Sequence, residues 1–154
     1  MRNWAWHVCL ILAPVLAAQA PVRAQYDWGY AGPDGTGKGL MAVLLEPATG
    51  HLVLELHGLG ERLMLLEGDA STGYRVRIPR RSVDTYAQKL GTLPLPFLPA
   101  LGSVEALYRL LTEGTGPSVK VTRDELGPRK LQYTGKDDEG REVQVWLTRK
   151  AWTR

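Results

Sequence analysis

The stretch at residues 52–68, LVLELHGLGERLMLLEG, leaves little choice of secondary structure. Its two apolar runs, 52–56 and 63–66, are each too short for a typical helix, and a Gly-x-Gly lies between them. Short runs on either side of such a turn read as a β-hairpin or a bent strand pair. In the first run Leu52, Leu54 and Leu56 fall on one face, with His51, Val53 and Glu55 on the other. Leu59 stands alone at the tip, between Gly58 and Gly60. It is either folded back onto the sheet or offered to something outside.

The same grammar extends on both sides. Residues 39–46 read as a strand apolar on both faces, followed by a turn at Pro47-Ala48-Thr49-Gly50. After another turn at 68–73, Tyr74, Val76 and Ile78 point inward while Arg75 and Arg77 point outward. This is an antiparallel meander. The period then changes. Ser82 is positioned to cap a helix in which Val83, Tyr86, Ala87 and Leu90 recur at helical spacing, ended by Gly91. The closely spaced prolines of 92–99 rule out a helix there and predict an extended apolar linker. Ser103 caps a second helix with Val104, Leu107, Tyr108 and Leu111 as its apolar stripe. Strands return at 119–121, 130–134 and 142–149, the last with Val143, Val145 and Leu147 on one face and Gln144 and Trp146 on the other. Upstream, glycines interrupt residues 21–38; the alternating Tyr26, Trp28 and Tyr30 make this either an edge segment or a flexible leader. The predicted class is α+β, a curved antiparallel sheet with short helices, and 39–150 is expected to form a single domain.

The N-terminal residues read as a cleaved export signal rather than as part of the fold. Arg2 precedes an apolar stretch at 8–18, and Ala18-Gln19-Ala20 has the small-x-small form of a cleavage site. The stretch is too short for a membrane-spanning helix. The single cysteine, Cys9, lies inside it and not at its end, where a lipid-attachment cysteine belongs. The expected location is the periplasm, without a lipid anchor.

Little in the chain suggests chemistry. His51 and His57 share a strand face, but no carboxylate or thiolate is placed to complete a metal site with them. Asp137, Asp138 and Glu139 read as a solvated hairpin tip. Gly35-Thr36-Gly37-Lys38 superficially resembles a phosphate loop, yet a strand follows where that loop needs a helix. No serine sits in a nucleophile elbow. No catalytic residue, metal or cofactor is therefore expected. A net charge of +3, with both signs mixed along an exported chain, does not point to nucleic acid. Arg75, Arg77, Arg80 and Arg81 form a basic run, either a wetted strand face or a contact for anionic headgroups or an acidic partner.

Three segments taken together, 54–68 (LELHGLGERLMLLEG), 86–98 (YAQKLGTLPLPFL) and 107–114 (LYRLLTEG), resemble the outer-membrane lipoprotein receptor family (LolB-like) and the related periplasmic carrier (LolA-like). The resemblance covers residue 39 to about 147. It implies an unclosed half β-barrel whose concave face is lidded by helices around an apolar cavity for the acyl chains of a lipid or lipoprotein. Leu54, Leu56, Leu63, Leu65, Tyr74, Val76, Leu95, Phe97 and Leu107 are the cavity candidates. Leu59 aligns with the leucine that the receptor branch uses in membrane delivery, with Gly58 in place of that family's proline. The chain departs from the receptors in lacking the anchor cysteine, and its glycine-rich 29–39 stands where they have a first strand. The expected partners are acyl cargo, an outer-membrane surface and an envelope protein. The alternative on the same fold is a solid-cored module for protein interaction.

Overall fold

In a computed structural model of the 154-residue chain, residues 19–93, 102–137 and 139–153 are described. The expected export signal lies almost wholly outside them, as do the linker residues Leu95 and Phe97.

Nine strands form one antiparallel sheet among the described residues. They are β1 (Val22–Gly32), β2 (Gly35–Glu46), β3 (His51–Gly58), β4 (Glu61–Asp69), β5 (Gly73–Ile78), β6 (Val83–Ala87), β7 (Val119–Asp124), β8 (Gly127–Lys136) and β9 (Glu142–Thr153). The order β6-β5-β4-β3-β2-β1-β9-β8-β7 joins two meanders through the β1–β9 pair and leaves β6 and β7 as unpaired edges, so the sheet is unclosed. Among the described residues one α-helix, α1 (Val104–Glu113), lies on the chain between those edges.

One face of the sheet is a continuous apolar ladder. Val43 pairs with Leu54, Leu54 with Leu66, Leu66 with Val76, so four strands contribute one buried row. Beyond β2 the same face continues through Tyr26 of β1, Val145 and Leu147 of β9 and Leu131 of β8, all buried. Val104, Leu107, Tyr108, Leu110 and Leu111 of α1 join the same cluster. The helix starts where its sequence says it should. Ser103 accepts a hydrogen bond from the Ala106 N–H, and Gly114 closes the far end in the left-handed region, its N–H donating to the Arg109 and Leu110 carbonyls.

Two expectations are corrected. The segment 82–90 is not a helix: Pro79–Arg81 forms a 3-10 turn, and Ser82 (φ 52°) closes that turn instead of capping a following helix. Val83–Ala87 is edge strand β6, paired with β5 from Val83↔Ile78 to Ala87↔Tyr74. Val83, Thr85 and Ala87 alternate toward the sheet as readily as Val83, Ala87 and Leu90 fit a helical stripe. Pairing onto β5, reinforced by the fork of Arg75 Nε and Nη2 on the two Asp84 oxygens at 2.7 and 2.6 Å, decides between them.

Nor is 21–38 a leader or an edge. It supplies β1 and the first part of β2, a long hairpin at the centre of the sheet, turned at Pro33-Asp34. Gly32 and Gly35 pair with each other beside the turn, and the other glycines do not break the hairpin because they face bulky aromatics. Trp28 pairs with Gly39, and Tyr30 with Gly37, on the core face. On the outer face Gly29 lies beneath Trp146, whose ring would be 2.0 Å from a Cβ added there. Glycine lets a strand accept a large ring on its own surface.

Candidate apolar binding site

Among the described residues the core face is not filled to its end. Near the β3–β4 turn a partly open cavity of about 160 Å³ remains. Its floor is Met41, Leu56 and Met64 from β2, β3 and β4, with Val145 and Leu147 from β9; Trp28 and Tyr30 close one side, and Leu63 and Ile78 another. Among the described residues the charged ones lining it are Arg80 and Arg81, on the 3-10 turn that follows β5. A second, more open groove of about 640 Å³ shares Trp28, Tyr30, Leu63 and Arg80 with it and continues past Gly37 and Lys38 to Leu59 and Trp146.

A bulge and a set of glycines shape this corner. Along β3 and β4, Leu56 pairs with Met64 but His57 with Arg62, so Leu63 is an extra residue. The bulge lets both Leu63 and Met64 reach the cavity. Trp28 is anchored by its indole N–H, which donates to the His57 carbonyl at 3.0 Å. That reach requires a bare strand beneath. A Cβ on Gly37 would meet the Trp28 ring at 3.3 Å, and one on Gly39 would lie 1.7 Å from the His57 carbonyl oxygen.

Leu59 is 92% exposed, with φ 52°, and Gly60 follows at φ 78°. Positive φ at both positions is what a two-residue type I′ hairpin turn requires, a geometry that favours Asn-Gly and is strained for leucine. The side chain therefore stands in water from a backbone conformation it disfavours, at the rim of the groove.

The cavity candidates read from the sequence divide four ways. Leu56 and Leu63 line the cavity. Leu54, Tyr74, Val76 and Leu107 lie in the packed core beyond it, Tyr74 donating its hydroxyl to the Gly50 carbonyl at 2.7 Å. Leu95 and Phe97 lie outside the described residues. Leu65 is the error: it pairs with Glu55 and Arg77, hence on the outer face, although it is buried there. In an unbroken apolar run such as 63–66 the alternation has no visible phase, and the bulge at Leu63 reverses the one assumed. The basic run also divides. Arg75 is forked onto Asp84, and Arg77 bonds Glu67 at 2.5 Å, both on the outer face. Arg80 and Arg81 belong to the cavity, with Arg80 donating to Glu61 from Nε and Nη2 at 3.1 and 2.8 Å.

Sequence reasoning missed Trp28, Tyr30, Met41, Met64 and Trp146. A signal for the first two was present: the aromatics at 28 and 30 and the glycines at 39 and 37 become facing partners once a hairpin turns at 33–34. Among the described residues no group of three or more His, Cys, Asp and Glu is placed to hold a metal ion, and no helix is long and apolar enough to cross a membrane. The arrangement offers apolar surface, aromatic rings and positive charge. Compared with family models and with curated proteins, the chain finds no match.

Proposed function

We propose that the protein binds the acyl part of a lipid or lipoprotein and exchanges it at a membrane surface, without catalysis, in an exported compartment such as the periplasm. The observation that carries this reading is the coincidence of an apolar cavity with the exposed, strained Leu59 at one corner of the sheet. A leucine in that state costs stability twice, once in backbone strain and once in exposed apolar surface, which a membrane or an acyl chain would offset. Trp28, Tyr30 and Trp146 beside Lys38 and Arg80 are the amphipathic and cationic residues that suit a headgroup layer. In this reading the unclosed sheet is the wall of a half-barrel with α1 as lid to its concave face, as the resemblance to the lipoprotein localisation factors implies.

Native mass spectrometry on protein purified from cells that export it tests the reading. Adducts with acyl-lipid masses are expected. Clean apo protein that also takes up no fluorescent fatty acid would overturn it. That result would favour the second reading, a solid-cored envelope-interaction module, for which the open edges β6 and β7 offer unpaired strand surface.

A further inference from the structure

The ligand class can be narrowed by what lines the cavity and the groove. Among the described residues Lys38, Arg80 and Arg81 line them, and no aspartate or glutamate does. Arg80 lines both spaces, so it stands where they meet. Pro79, the first residue of the 3-10 turn, fixes the backbone just before it. Glu61 engages two of the five guanidinium donors of Arg80 and lines neither space. The ion pair thus pins the guanidinium without filling its donor capacity.

Size sets the other half. A cavity of about 160 Å³ is close to the roughly 150 Å³ apolar cavity that holds a benzene ring, so it accepts about six carbons of one alkyl chain. Two chains side by side do not fit. The remainder of a longer chain has an apolar path along Trp28, Tyr30 and Leu63, which line the cavity and the groove alike.

We infer that the site selects an anionic amphiphile entering by a single alkyl chain: the chain end fills the apolar cavity, and a carboxylate or phosphate head is held by Arg80 and Arg81, with Lys38 adding to the local positive field. This inference rests on the acyl-binding reading above and names the ligand that reading left open. Recognition of the head is electrostatic and fork-like, the geometry in which arginine binds carboxylate and phosphate.

The test is a titration of the full-length secreted protein with four dodecyl compounds below their micelle concentrations. These are dodecanoate, dodecyl phosphate, dodecyl maltoside and dodecyltrimethylammonium, followed by tryptophan fluorescence and calorimetry, with acetate and inorganic phosphate as tail-free controls. The two anionic amphiphiles are expected to bind at least about tenfold more tightly than the neutral one, as charge-assisted hydrogen bonds to an ionised head allow. The cationic one should bind weakest, and the tail-free anions should not bind measurably. In Arg80→Gln/Arg81→Gln the anionic preference should collapse while dodecyl maltoside binds as before. Exposed Lys38→Gln should weaken the anionic pair about twofold to threefold and leaves folding unchallenged. Equal affinity for all four heads, or a double variant that keeps the preference, would overturn the inference and leave the acyl-binding reading standing. Inorganic phosphate binding as tightly as dodecyl phosphate would also overturn it, in favour of a plain anion site. Binding of none of the four would remove the acyl-binding reading itself.

Discussion

Replacing Leu59 by asparagine should make the protein more stable and less able to associate with membranes. An L-residue in the left-handed region bears about 1–2 kcal/mol from contact of its Cβ with the following carbonyl, and asparagine tolerates that region far better. At 92% exposure the leucine side chain has almost no packing to lose, since only the remaining few per cent of a roughly 2 kcal/mol burial is at stake. The balance is a gain of about 1 kcal/mol. With a urea m-value of about 2 kcal/mol/M, the midpoint rises by about 0.5 M with unchanged slope. Glycine should give less, because it returns about 0.5–1 kcal/mol to the unfolded chain as entropy. Vesicle flotation of the same variants is the second readout, and loss of association is expected from Leu59→Asn and more completely from Leu59→Glu. Chemical denaturation that shows Leu59→Asn unchanged or destabilised would refute the reasoning, for it would mean the leucine is packed in solution. A stabilised variant that partitions onto vesicles as before would keep the strain argument and retire the membrane role.

Three further outcomes follow from the same geometry. Gly39→Ala should cost more than about 2 kcal/mol and release the Trp28 anchor, seen as a lower melting temperature and red-shifted emission, because its Cβ would sit 1.7 Å from the His57 carbonyl; Gly37→Ala, at 3.3 Å from the ring edge, should be tolerated. Tyr26→Phe should stabilise by about 1 kcal/mol in urea titration, since the buried Tyr26 hydroxyl has no hydrogen-bond partner among the described residues; a loss instead would reveal a bound water. Asp69 accepts hydrogen bonds from the Ser71 hydroxyl and from the Ser71 and Thr72 N–H groups, and these, the Ser71 hydroxyl foremost, hold its carboxyl at about 2 against a usual 3.8. A folded-state value below the unfolded one gives stability that is present above about pH 4 and lost as pH falls toward 2. The stability gap between the native chain and Asp69→Asn should therefore be flat from pH 7 to 5 and shrink below 4; a gap that widens on acidification would contradict this.

How much of this was legible in the sequence depends on whether a local pattern had one reading or two. Residues 51–56 and 74–78 alternate strictly, and their faces came out as expected, as did α1 with its serine cap and terminal glycine. Residues 83–90 satisfy both periods, and only the vacant edge of β5 chooses between them. The glycines of 29–39 carry opposite meanings alone and in pairs. Singly each reads as a break, whereas opposite Trp28 and Tyr30 they read as clearance, and that relation exists only after the hairpin is formed. Arg80 and Arg81 looked like the end of one basic run with Arg75 and Arg77. The 3-10 turn at Pro79 takes them off the strand and sends them to the cavity.

Four departures from simple pattern gather at one corner of the molecule, although others, the left-handed Ser118 and the register shifts at Gln25/Tyr26 and Thr122/Arg123, involve residues that line neither the cavity nor the groove. The bulge at Leu63, the left-handed Leu59, the bare strand at Gly37 and Gly39 and the turn at Pro79 all fall at the corner where the cavity lies. Away from that corner most polar groups that the turns and strands bring inward find partners, Tyr74 on the Gly50 carbonyl, Asp69 on its own turn, and Arg149 on the Pro128 carbonyl and the Asp124 carboxylate, the buried Tyr26 hydroxyl being an exception. Sequences that specify a fold keep local and global preferences in agreement and give up that agreement where function requires it. Four local exceptions at one corner therefore weigh more than any one of them. Each alone has a structural use, a bulge to twist the hairpin or a glycine to seat a ring. A solid core gives no reason for them to coincide, whereas the apolar site proposed above makes use of all four.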